Sequence, residues 1–91
     1  MANMNILRKT AQAALRAEYG FAPALRDITL LEASGDRTYI LFKVNDWEYE
    51  FNSYSYRDGT VWVGDGHLKK TAKYKWSVSE RCYIRHPVDT L

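Results

Sequence analysis

Few residues in this 91-residue chain have the chemistry to carry a reaction. His67, His86 and Cys82 are its only imidazoles and thiol. Their spacing matches no zinc-site pattern, and nothing in it pairs Cys82 with either histidine as nucleophile and base. Read with its alternating neighbours, Cys82 is expected to be a small core residue beside Val78 and Ile84. Glu48 and Glu50 share one side of a strand and could mimic a catalytic acid pair. Cross-strand charge pairing with Lys43, or a place beside Arg37, accounts for them more simply and turns them toward solvent. Gly64-Asp65-Gly66-His67 is glycine-rich, but it precedes a strand pattern rather than a helix. It therefore lacks the helix N-terminus on which phosphate loops depend. The expectation is a non-enzyme with no metal and no cofactor.

The elements that would position any site are legible from periodicity. Residues 4–19 place Met4, Leu7, Ala11, Ala14 and Leu15 at helical spacing, with Arg8, Lys9, Gln12 and Arg16 opposite. Asn3 or Asn5 suits the N-cap and Gly20 the residue after the last turn, with Pro23 preventing continuation. From Ile28 the period becomes two. Strands are expected at 28–33, 38–44 and 47–55, the last two joined by Asn45-Asp46 as a tight turn. That turn pairs Val44 with Trp47, Phe42 with Tyr49 and Ile40 with Phe51 on one face, and Lys43 with Glu48 on the other.

Beyond it, a three-residue Arg57-Asp58-Gly59 loop with a glycine bulge is expected. It would bring Val61 and Val63 to the core face and set Tyr54, Tyr56 and Trp62 in line with Tyr39. Residues 68–78 alternate Ala72, Tyr74, Trp76 and Val78 against Lys69, Thr71, Lys73, Lys75 and Ser77. A three-residue loop then leads to a last strand at 81–86 and sends Arg85 to the lysine side. The fold class is α+β: one N-terminal helix on one face of a curved antiparallel β-meander of about five or six strands. The single domain spans residues 1–91, without repeat or linker.

Composition narrows the classes further. The chain is 46% hydrophobic and 26% charged, a globular balance, with a single cysteine and hence no internal disulfide. No apolar stretch is long enough to span a membrane or resembles a secretion signal, so a cytoplasmic protein with no membrane contact is expected. Charge is segregated. Residues 1–26 carry a net +3, residues 27–65 a net −5 and residues 66–91 a net +4.

Two surfaces stand out against this background. The first is the row Tyr39, Tyr54, Tyr56 and Trp62, flanked by the acidic Glu48, Glu50 and Asp58. It either offers exposed rings to a protein partner or closes a second small core. The second is the basic row Lys69, Lys73, Lys75, Arg81 and Arg85. It reads first as decoration that protects a solvated strand, and otherwise as a track for nucleic acid. The leading expectation is a protein-binding module. Small motif-free domains of this kind are often inhibitors or adaptors from phages and other mobile genetic elements, of the anti-CRISPR and anti-restriction type. The acidic middle segment would suit a partner that handles nucleic acid. The alternative is direct, non-specific nucleic-acid binding through the C-terminal basic strands. A small-molecule cavity between helix and sheet is a third reading, opposed by the alanine-rich helix face. An unpaired edge strand would also permit a homodimer.

Overall fold

A computed structural model describes residues 4–34, 39–52, 55–57, 60–62 and 68–88, with side chains unassigned at residues 4, 55–57 and 60–62. Helix α1 spans Met4–Tyr19. Its spacing brings Leu7, Ala11, Ala14 and Leu15 onto one buried stripe. Thr10 is buried in the same helix and satisfies its hydroxyl on the Ile6 carbonyl at 2.8 Å. Gly20 ends the helix with φ of +78°, donating to the Arg16 carbonyl at 3.0 Å. A side chain there would be strained, which explains the glycine. Two side chains then hold the helix in place: Gln12 donates to the Pro23 carbonyl at 2.8 Å and Arg8 to that of Ile28 at 3.2 Å.

After a 3-10 turn at Leu25–Asp27, strands β1 (Ile28–Ala33), β2 (Tyr39–Val44) and β3 (Trp47–Asn52) form an antiparallel meander. The Asn45-Asp46 turn gives the expected rungs, Val44 to Trp47, Phe42 to Tyr49, Ile40 to Phe51 and Lys43 to Glu48. Asn45 takes φ of +56°, a conformation asparagine tolerates better than most residues. Ile28, Ile40, Phe42, Val44, Tyr49 and Phe51 join the helix stripe in one core, with the Phe42 and Tyr49 rings stacked at 5.4 Å.

The next hairpin departs from expectation. Strands β4 (Ser55–Arg57) and β5 (Thr60–Trp62) form a separate two-stranded ribbon. Arg57 pairs with Thr60 and Tyr56 with Val61, so the connection is two residues long, not a three-residue bulged loop. Aspartate followed by glycine suits the shorter turn, and its register won over the pairing that would have brought Val61 to the main core. Strands β6 (Leu68–Ser77) and β7 (Cys82–Pro87) then complete a curled five-stranded sheet of order β1-β2-β3-β6-β7. The fold is α+β, with the helix packed on one sheet face.

Candidate functional site

One extra residue decides the second half of the sheet. Tyr49 pairs with Lys70 and Glu48 with Ala72, which leaves Thr71 as a bulge in β6. Before the bulge Leu68 belongs to the helix-side core. After it, Ala72 shares a rung with Glu48, on the face turned away from the helix. Tyr74 and Trp76 follow on that face because strand side chains alternate. The rungs Tyr74 to Arg85 and Trp76 to Tyr83 add two β7 residues to it.

Beyond Lys73, β6 has no partner in β3 and pairs with β7 alone, apart from one bond from the Tyr74 amide to the Asp46 carbonyl at 2.7 Å. The last four residues of β6 and the facing part of β7 therefore make an arm reaching about 13 Å past the β3 ladder. Its turn is four residues long, Val78 to Arg81, closed by the Arg81 amide on the Ser77 carbonyl at 2.8 Å.

At the root of the arm Glu48 is 2% exposed. Its carboxylate accepts from Thr71 Oγ1 at 2.6 Å and Tyr74 Oη at 2.8 Å. Arg85 adds Nε at 3.0 and 3.2 Å and Nη2 at 2.7 Å. The Arg85 guanidinium, helped by the Thr71 and Tyr74 hydroxyls, holds the Glu48 carboxyl down at about 2 against the cost of burial. Burial and the bond to Glu48 push the Tyr74 phenol up. A carboxylate so acidic, with both oxygens occupied, is a poor proton acceptor and a good clamp. It fastens β3, β6 and β7 together at one point.

Further out, Trp76 is 55% exposed and Tyr83 60%, their rings edge to face at 5.2 Å. Val78 in the turn is 82% exposed. On the opposite face of the arm lie Lys73 and Lys75, paired in register with His86 and Ile84. Lys70 and Lys73 place their ammonium groups over the Trp47 ring, at 4.3 and 5.2 Å. Beside the clamp is an open depression of about 270 Å³ lined by Lys69, Lys70, Thr71, Arg85, Pro87 and Val88. It touches no helix residue, so it is not the cavity between helix and sheet that was considered from sequence.

The residues singled out from sequence are distributed as follows. Tyr39 and Glu50 occupy the sheet face away from the helix, partly exposed, and burial with nearby Glu50, Glu32 and Glu48 raises the Tyr39 phenol. Glu48 lies on that face but is buried, a correction to its expected solvent exposure. Tyr54 and Asp58 fall outside the described residues, as does His67. Tyr56 and Trp62 lie in the separate β4–β5 ribbon, on adjacent rungs.

In the basic set, Lys69, Lys75 and Arg81 are exposed and Lys73 lies over Trp47. Arg85 is on the ring face and not the lysine face, because the β6–β7 turn has four residues instead of three. The same change leaves Cys82 exposed, where sequence placed it in the core. Trp76, Tyr83 and Val78 were not in either set. The signal that could have found them is Thr71, a polar residue between Leu68 and Ala72 where the apolar spacing is ambiguous.

Among the described residues no group of three or more His, Cys, Asp or Glu is placed to hold a metal ion, and no helix is long and apolar enough to cross a membrane. Comparison with family models finds no match, and comparisons with curated proteins and with solved structures find none either.

Proposed function

We propose that this chain is a non-enzymatic protein-binding module whose contact surface is the β6–β7 arm. The observation that carries this reading is the half-exposed Trp76/Tyr83 pair on an arm fastened by a buried carboxylate. Large rings left in water on a fixed support are the usual anchors of protein interfaces. Prior fixing of the arm by Glu48 and Arg85 lowers the ordering cost of binding. In its finer form the module is an inhibitor or adaptor from a mobile genetic element, acting on a partner that handles nucleic acid. What supports that form is the net −5 of residues 27–65, from which Glu32 and Glu50 stand on the sheet face that continues into the ring face of the arm.

The test compares the full chain with a Trp76→Ala/Tyr83→Ala variant as immobilised baits, after circular dichroism shows that the variant is folded. The expected result is a protein retained by the first and lost by the second. Equal retention by both defeats the assignment of the surface. Direct nucleic-acid binding is the second reading, favoured by the shared face of Arg85 with Trp76 and Tyr83. It predicts polarisation of labelled single-stranded DNA or RNA at about 50 mM salt that falls steeply by about 200 mM. Lys69→Glu with Arg81→Glu, both outside the rings and the β7 flank, should weaken that signal and leave protein capture in place.

A further inference from the structure

The two outer edges of the five-stranded sheet are built differently. Strand β1 is interrupted by a register shift between Leu30 and Glu32, and bulges of this kind make an edge hard to extend. Strand β7 runs unbroken through six rungs, from Ser77 and Cys82 to Ala72 and Pro87. Its only permanently charged side chain, Arg85, is drawn inward onto Glu48 and so does not guard the edge. In the sheet order of the described strands β7 is the outermost, with no strand beyond residues 82–86. Alternate residues there turn their N–H and C=O groups outward, as on any edge strand.

A strand laid along this edge would meet two unlike flanks. On one face it would lie beside Tyr83, with Trp76 behind it, and beside Arg85, whose charge is met by Glu48. On the other it would lie beside Cys82, Ile84 and His86, with Lys75 and Lys73 behind them. Side chains of an added strand alternate between the same two faces. Its complement therefore alternates apolar residues toward the rings with acidic residues toward the lysines. A second copy of this chain is a poor occupant, because antiparallel pairing of two β7 strands would bring together two segments of net +4. Resting on the protein-binding reading above, we infer that β7 accepts, by strand addition, an extended segment of a partner protein whose residues alternate between apolar and acidic.

The experiment pans a display library of random dodecapeptides on the full chain, then follows backbone hydrogen exchange with the best peptide bound. Recovered peptides should carry acidic residues at every second position, apolar residues between them and no proline inside the run. Binding should slow exchange at alternate amides of residues 82–86. Lys73→Glu/Lys75→Glu should weaken the best peptide about tenfold, and panning that variant should recover basic residues in place of acidic ones. Lys75→Glu alone, which leaves the Lys73/Trp47 stack intact, should shift the same preference to a smaller degree.

Peptides without alternation, unchanged β7 exchange or an unaltered preference in both charge variants would each overturn the proposal. So would self-association of the chain through β7, or single-stranded DNA displacing every selected peptide. Capture of a partner that depends on Trp76 and Tyr83 while β7 exchange stays unchanged leaves the module reading standing and removes strand addition. Loss of both removes both.

Discussion

The half of the sheet under α1 and the half that carries the arm are held together by different physics. Under the helix, Phe42, Phe51, Ile28 and Ile40 are fully buried with Leu15, and cohesion is apolar and spread over many contacts. At the root of the arm it is polar and concentrated on one carboxylate. The first kind tolerates the loss of a partner by degrees. The second depends on every donor being present, because an unpaired buried charge is costly. A small domain with a single helix cannot cover both sheet faces with apolar groups. The uncovered half is fixed by a clamp instead, and that leaves its outer rings free for contact.

The largest expected effect lies in the apolar half. Phe42→Ala should cost about 4 kcal/mol in urea unfolding, since it empties a ring-sized space between helix and sheet. A cost below about 1 kcal/mol would mean that the helix does not pack as described.

The clamp comes next and should respond in another way. Arg85→Met, which strands the buried Glu48 carboxylate, should cost about 3 kcal/mol. Glu48→Leu, which leaves a half-exposed arginine free to meet water, should cost less, and the double replacement should cost less than Arg85→Met alone. Additive losses in that cycle would mean that the two residues act independently. Slightly smaller is the pH effect. The folded Glu48 carboxyl titrates at about 2, below its ordinary value near 4.5. Its contribution is therefore complete above about pH 4.5 and is lost as pH falls from there toward 2. Stability should drop by about 2–3 kcal/mol across that window, and Glu48→Gln should flatten the drop. An unchanged slope in the variant would place the acid sensitivity elsewhere.

The smallest effect is at the turn of the arm. Arg81 sits at φ of +57°, so Arg81→Gly should raise stability by about 1 kcal/mol or less without altering the core. A loss there would show that the Arg81 side chain makes a contact worth more than its strain.

Much of the fold was legible in the chain. Leu7, Ala11, Ala14 and Leu15 announce their helix because 3.6-residue spacing survives without reference to anything else. The β2–β3 register was equally plain, since a two-residue turn and three apolar rungs agree. The Arg57–Thr60 hairpin was misread because a turn signal was weighed against a long-range pairing that sequence could not price. The candidate site was less legible. Alternation from Leu68 to Val78 looked continuous, yet a one-residue bulge reverses every face beyond it. Trp76 consequently came out of the core, and the β6–β7 turn, one residue longer than expected, left Cys82 exposed and put Arg85 and Tyr83 on its face.

By itself the sequence determined the helix, the strand segments, the tight Asn45-Asp46 turn and the basic character of the last two strands. These follow from spacing and turn chemistry, which act over a few residues. Only the tertiary structure decided that Glu48 is buried, that Arg85, Thr71 and Tyr74 converge on it, and which face carries the exposed rings. Those facts depend on where β3, β6 and β7 meet. Glu48 and Arg85 are 37 residues apart, and no local pattern encodes a contact at that distance.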